Sequence, residues 1–307
     1  MKFDCILTNP PYQDSSHSEK KNTLWRKWLD FMDTNVTDGG IFSLVIPSSW
    51  MGSSPVLKSI FFEKDTKNMK YNITHINRDE CKKHFPNIGS TFSYFVIEKK
   101  PYNKKTHIIS KNINGENEVS SNINLNECVI DVFPRDLSSI GLSILQKTLS
   151  SNIKKLGIKN NTFNHSVHKT KRRMFQNDEF RYPIQNTPHK LYWYNYPHPD
   201  QGKLKLLIPT TTYFRNQLIT DYGVTQSFCY YLIENHVSPE IVYNNVNNKL
   251  FDYLNECFRY ANWNSVNLLR KLPFLPMERQ MTDNEIYEYF NLTQNEINHI
   301  NELIKWR

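Results

Sequence analysis

Apolar positions in the first hundred residues fall into two textures. Dense runs of β-forming residues, Phe3 to Thr8, Gly40 to Pro47, Asn72 to Asn77 and Phe92 to Lys99, predict strands. Residues 3–8 read as a short buried strand. The continuous run from Gly40 to Pro47 reads as a strand covered on both faces. Between these runs the spacing becomes helical. Thr23 to Val36 puts Leu24, Trp28, Phe31 and Asn35 near one face, with Trp25 and Met32 beside it. Pro55 to Lys64 predicts a second helix, with Pro55 tolerated in its first turn. Strand alternating with helix predicts a layered α/β domain. Ligands in such sheets sit beyond the carboxyl ends of the strands, where Asn9 and Pro47 fall.

Beyond residue 100 the pattern changes. Residues 101–135 are polar and Asn-rich, with short strands expected at 106–109 and 128–133. Asp136 to Leu156 predicts one helix, or two broken at Gly141. From Asn160 to Thr225 short β-like runs alternate with turn residues, which suits a separate recognition module. Helix returns in the last fifth. Thr282 with Glu285, and Thr293 with Glu296, have capping-box spacing and open expected helices near 283–290 and 294–305. The expected division is a first body over 1–105, a recognition region over 106–275 and a helical tail over 276–307.

Composition narrows the class. The chain of 307 residues is long enough for two cored domains, and 22% charged with 13% aromatic residues argues for a folded protein. The net charge of +8 favours a polyanionic partner, nucleic acid first. Five scattered cysteines, with no C-x-x-C pair, argue against a zinc ribbon or a disulfide scaffold and fit a reducing compartment. No apolar run reaches a membrane span, and the first residues carry no signal-peptide pattern, so a cytoplasmic location is expected.

Candidate chemistry begins at Asn9-Pro10-Pro11-Tyr12, directly after the first strand. The prolines fix φ and remove two backbone donors, leaving the Pro10 carbonyl as an acceptor beside the Asn9 amide oxygen. Two adjacent acceptors can hold both hydrogens of an exocyclic amine and leave its lone pair exposed. Tyr12 offers a flat face for a planar base. An ordinary proline turn would explain Asn-Pro but not the aromatic after the second proline. Asp4 reads as a strand-flanking residue rather than a catalytic acid.

The residues around this tetrapeptide carry a resemblance. Lys2 to Gln13 looks like the catalytic motif of S-adenosylmethionine-dependent DNA adenine methyltransferases, closest to the type II restriction-modification branch. Gly39-Gly40-Ile41-Phe42-Ser43-Leu44-Val45-Ile46-Pro47-Ser48-Ser49-Trp50 resembles the next family block, and Phe85 to Ile97 a later one. The tail Leu272-Pro273-Phe274-Leu275-Pro276, then Ile286 to Thr293, is similar to that branch's C-terminal end. The resemblance is strong over residues 1–100 and weaker through 110–270.

It implies a partial Rossmann-like methyltransferase sheet, followed by a mixed α+β target-recognition domain and C-terminal helices. It also implies Asn9, Pro10, Pro11 and Tyr12 as catalytic residues, S-adenosylmethionine as cofactor, duplex DNA as partner, and adenine as the base. Trp50 could wall the pocket, though packing explains it more simply. Ser90, Thr91 and Phe92 resemble the family's loop near the target base, with Phe92 a candidate stacker. One departure matters. The family's glycine-rich cofactor turn and following acidic residue precede its Asn-Pro-Pro-Tyr block, and here only eight residues do. No strand-Gly-x-Gly pattern occurs elsewhere among the nine glycines. A second chain supplying the cofactor half is therefore one expectation. A catalytically silent DNA-binding specificity subunit, decoy or truncated remnant is the alternative. Methylation of RNA or of a protein glutamine is a third reading, less suited to the long basic region.

That basic region is densest at His165-Ser-Val-His168-Lys169-Thr-Lys171-Arg172-Arg173, followed by Tyr192-Trp193-Tyr194-x-Tyr196 and Lys203-x-Lys205. Basic groups interleaved with aromatics suit phosphate and base contacts. Lys169, Lys171, Arg172, Arg173, Lys203 and Lys205 are the expected DNA-binding residues, with a solvated charged loop as the plainer explanation. His165 and His168 have no neighbouring Cys or acid, so no metal site is expected.

Overall fold

The structure, a computed structural model, describes residues 2–12, 24–52, 63, 69–78, 80–84, 92–116, 118–127, 133–160, 163, 171–259 and 263–305. Two units divide the chain, Met1–Ser143 and Ile144–Arg307. Both are mixed α/β, with three sheets in all among the described residues.

The first unit carries β1 (Phe3–Thr8), α1 (Trp25–Asn35), β2 (Val36–Pro47), β3 (Asn72–Asn77), β4 (Phe92–Glu98), β5 (Thr106–Lys111) and β6 (Glu118–Ile123). Its sheet runs β1-β2-β4-β3-β5-β6. β1 pairs parallel to β2, β4 lies antiparallel between β2 and β3, and β3 pairs parallel to β5. The glycine pair sets the β1–β2 contact. Gly39 has φ +82°, which only glycine adopts without strain, and a Cβ on Gly40 would meet the Asp4 carbonyl at 2.9 Å. Asp4 lies within β1 rather than at its flank, and its carboxylate accepts a hydrogen bond from Thr37 Oγ1 at 3.0 Å.

Three expectations need correction here. β1 forms where expected but is not buried. Among the described residues it is an edge strand paired only with β2, and Leu7 is 71% exposed. In β2 the burial alternates, with Phe42, Leu44 and Ile46 inside, Ser43, Val45 and Pro47 half-buried and Ile41 exposed, so the second face is only partly covered. On α1 the buried stripe is Trp25, Leu29 and Met32, leading to Val36, whereas Phe31 is exposed. Leu29 shares this stripe because i, i+4, i+7 spacing from Trp25 aligns it over Met32.

The polar stretch after residue 100 does not leave the sheet. β5 and β6 extend it as far as Ile123, beyond the boundary expected at 105. The expected helix over 55–64 and the strand at 128–133 fall almost wholly outside the described residues. α2 (Ser139–Leu149) runs through Gly141 without a break. Glycine is needed there for space, since a Cβ would lie 2.4 Å from the Asp136 carboxylate carbon.

The second unit holds β7 (Lys159–Asn160), β8 (Arg172–Arg173), β9 (Tyr182–Thr187), β10 (Lys190–Tyr194), β11 (Lys205–Pro209), β12 (Leu218–Thr220), β13 (Gly223–Val224) and β14 (Phe228–Leu232). They make two four-stranded sheets, β13-β9-β10-β8 and β12-β11-β14-β7. Helices α3 (Pro239–Val246), α4 (Lys249–Phe258), α5 (Val266–Leu269), α6 (Asp283–Tyr289) and α7 (Gln294–Leu303) follow. α4 buries Leu250, Phe251, Leu254, Cys257 and Phe258. Its N-terminus is capped by Asn248, whose Oδ1 accepts the Phe251 N–H at 2.8 Å. Both expected capping boxes are present, at Thr282/Glu285 and Thr293/Glu296. Among the described residues no helix is long and apolar enough to cross a membrane.

Candidate functional site

Asn9, Pro10, Pro11 and Tyr12 continue from the carboxyl end of β1. Asn9 and Pro11 are exposed, Pro10 is buried and Tyr12 is half-buried. The segment is tied back to α1, where the Leu24 N–H donates to the Tyr12 carbonyl at 3.2 Å. The Tyr12 hydroxyl donates to Asn9 Oδ1. An amide oxygen has two lone pairs, so this bond leaves Asn9 able to accept a second donor. Burial raises the Tyr12 hydroxyl above its usual pKa, nearby Cys81 adds to the rise, and the bond to Asn9 opposes it.

Behind Tyr12 stands Phe92, the first residue of β4, with ring centroids 5.1 Å apart and planes 35° inclined. Phe92 is only 3% exposed. It braces the Tyr12 ring rather than offering a second face. Trp50 is fully buried; its indole N–H donates to Ser93 Oγ at 2.7 Å and its ring meets Phe95 and Phe133 edge-on. That environment makes Trp50 a packing residue. Ser90 and Thr91 lie outside the described residues.

The second unit carries a basic surface on its β13-β9-β10-β8 sheet. β8 pairs with β10, setting Arg172 opposite Tyr194 and Arg173 opposite Trp193. The guanidinium carbon of Arg172 lies 4.5 Å from the centre of the Tyr192 ring, that of Arg173 lies 4.3 Å from Phe180, and the Lys171 ammonium lies 5.5 Å from Tyr196. Each cation thus rests on an aromatic face. The interleaving seen in the sequence becomes a paired layer because the strands run antiparallel. Lys169, His165 and His168 lie outside the described residues.

Lys203 and Lys205 do not join this layer. Lys203 donates to Asp200 Oδ1 at 2.7 Å. Lys205 is 0% exposed, and its ammonium donates to the carbonyls of Asp221 and Tyr222 at 3.2 and 2.7 Å. In this arrangement no phosphate reaches it, which corrects the expectation for Lys205. Burial pushes its pKa down to about 8 against the pull of Asp200. Burial opposes the charge of Asp200, yet Lys203, Tyr230 and Lys159 outweigh it and hold the carboxyl well below the usual range. The Asp200 N–H donates to His198 Nδ1 at 3.0 Å, so that nitrogen is unprotonated. Burial and then the Lys205 charge lower His198 to about 4, with Asp200 opposing. Nothing in the residue pattern signals this network, since its members look like separate turn and strand residues.

Among the described residues no glycine-rich strand-to-helix turn of the kind the resemblance implies for the cofactor occurs. Glycines with positive φ, at Gly39, Gly115, Gly157 and Gly202, face open space, and none opens a helix after a strand. Among the described residues no group of three or more His, Cys, Asp or Glu could hold a metal ion.

No protein-family model matches the chain, and no curated protein matches it in sequence. Solved structures to which it is similar include restriction-modification enzymes. The type IIL restriction-modification enzyme MmeI in complex with DNA aligns at TM-score 0.41 and 11% identity, over 89% of this chain and 45% of that one. The type IIG restriction endonuclease BpuSI aligns at TM-score 0.38 and 10% identity, over 98% and 53%. A type I restriction-modification complex aligns at TM-score 0.28 and 15% identity, over 35% and 23%. The chain therefore spans about half or less of each of these structures. Superpositions this loose do not establish a shared fold.

Proposed function

We propose that the chain is the catalytic and target-recognition part of an adenine-specific DNA methyltransferase of restriction-modification type. The observation that carries this reading is Asn9-Pro10-Pro11-Tyr12 at the carboxyl end of a strand parallel to its neighbour, with Tyr12 braced by Phe92. In this reading Asn9 Oδ1 and the Pro10 carbonyl accept the two hydrogens of an adenine amine. That fixes the amine's orientation and exposes its lone pair. The base must leave the duplex stack to reach them, and the Tyr12 face repays part of that cost. The Lys171–Arg173 layer would hold phosphates. S-adenosylmethionine would be the methyl donor. Because no glycine-rich strand-to-helix turn occurs among the described residues, the proposal includes a second chain or domain that supplies its site.

The test is transfer of labelled methyl from S-adenosylmethionine to duplex DNA by the chain, alone and with a co-purifying partner, followed by nucleoside analysis. Label on the adenine amine, lost by a factor on the order of a hundred or more in Asn9→Ala, is expected. Label on cytosine, or full activity in Asn9→Ala, overturns the assignment.

A second reading is a DNA-binding specificity subunit without catalysis, supported by the cation–aromatic layer of β8 and β10, which needs no cofactor. Salt-dependent duplex binding, with neither S-adenosylmethionine binding nor methyl transfer under either condition, would select it.

A further inference from the structure

We propose that Met174 and Phe175 form an apolar wedge that enters the base stack of duplex DNA. This rests on the DNA-binding reading above and adds a residue class that reading does not use. Phe175 is 81% exposed, the highest value among the described large apolar side chains, and adjacent Met174 is 57% exposed. Single exposed apolar residues are common on protein surfaces, but two adjacent ones at a fixed bend are a different matter.

The bend is held on both sides. Upstream, Arg172 and Arg173 are locked in the ladder with β10. Downstream, Asn177 Oδ1 accepts the N–H groups of Glu179 and Phe180 at 3.0 and 2.7 Å, and the Asn177 N–H donates to the Phe180 carbonyl at 3.2 Å. Phe180 is 2% exposed and lies beneath the Arg173 guanidinium. The tip is therefore displayed by an anchored loop.

Charge identifies what the tip meets. Lys171, Arg172, Arg173 and Arg181 surround it in sequence, against Asp178 and Glu179. Each of the four cations lies over an aromatic ring. A polyanion needs a basic margin around an apolar insertion, and these four cations against two acidic residues supply it. Phe and Met side chains pushed between base steps unstack them and kink the duplex. Neither can read a base edge by hydrogen bonding. Their contribution to sequence preference is thus through deformability, favouring pyrimidine–purine steps.

The experiment compares the full chain with Phe175→Ala, Phe175→Leu and the Lys171→Ala/Arg172→Ala/Arg173→Ala triple. Affinity is measured across a salt series for end-labelled duplexes of about 30 base pairs that also report bending and carry 2-aminopurine. Phe175→Ala is expected to weaken binding about tenfold and to lose both the bend and the 2-aminopurine signal, because the insertion is gone. It should leave the salt slope unchanged, because no charge is removed. Phe175→Leu should keep part of the bend. Normal affinity and bending in Phe175→Ala, with a reduced salt slope in the triple variant, overturns the wedge while leaving DNA binding intact. So does concentration-dependent dimerisation of the wild type that Phe175→Ala abolishes. No duplex binding by the wild type overturns the wedge and the DNA reading together.

Discussion

Individual residues decide whether the Asn9 site works as drawn. Tyr12 does two things at once: its ring lies against Phe92 and its hydroxyl occupies one lone pair of Asn9. Stacking needs the ring and not the hydroxyl. Tyr12→Ala is therefore expected to cost methyl transfer roughly 1–3 kcal/mol of base stacking. Tyr12→Phe should be mild, and it frees an acceptor on Asn9 for the amine. A Tyr12→Phe variant as inactive as Tyr12→Ala would show that the hydroxyl has a part in the chemistry.

His198 carries a second residue-level consequence, for stability. The folded protein keeps it neutral down to about 4, whereas the unfolded chain protonates it near 6.5. Between those values the unfolded state binds the extra proton, so stability falls as pH drops through the window and levels out below it. The loss is on the order of 3 kcal/mol at most. Denaturant midpoints measured from pH 7 to 4 are expected to decline, with the decline flattened in His198→Asn. Asp33, Glu98, Asp200 and Glu285, all held below their usual range, add to the decline only at its acid end, from about pH 5 downward, so the His198 part is read above that pH. An identical slope in the variant would assign acid lability to other groups.

At the scale of elements, legibility followed local physics. Capping boxes at Thr282 and Thr293 are read from four consecutive residues and were found in place, because a cap is satisfied within its own turn. Strand positions in the first unit were also legible from runs of β-formers. Burial was not. Phe3 to Thr8 looks like an interior strand, but whether it lies at an edge depends on which strand pairs beside it. Lys205 likewise sits in a run of charged residues and turns inward because β11 packs between β12 and β14, a tertiary fact. Phe175 was hidden within a hydrophilic stretch dominated by its charges.

The cations of β8 were legible as a run, and the structure adds their aromatic supports. The Lys171, Arg172 and Arg173 triple alanine variant is expected to weaken duplex binding across sequences. Its log K against log salt should flatten by roughly one unit for each phosphate that is no longer neutralised. An unchanged slope would make the run a solvated surface.

At the scale of the molecule, the open edge of β1 is the feature most at odds with an isolated first unit. β1 pairs parallel to β2, and parallel strands are ordinarily covered on both faces. Here Leu7 is 71% exposed, Phe3 39% and Ile41 37%, and Cys5 is exposed as well. Cys5 lies opposite Ile41 in the ladder, and Phe3, Cys5 and Leu7 share one face by their two-residue spacing. Among the described residues no strand covers the outer edge of β1, and this apolar strip lies beside backbone groups that can pair with another strand. Covering a side chain such as Leu7 would contribute roughly 1.5–3 kcal/mol, enough to favour association through this edge. The chain by itself is expected to self-associate at tens of micromolar by light scattering, as a flat edge does. Leu7→Lys, which places a charge on the strip, should shift it toward monomer without changing its stability to denaturant by more than about 0.5 kcal/mol, the usual range for a surface change. If a partner supplies the S-adenosylmethionine site, the same variant should also block its capture. A wild-type chain that stays monomeric and captures nothing that Leu7→Lys loses would mean the exposed edge is tolerated rather than used.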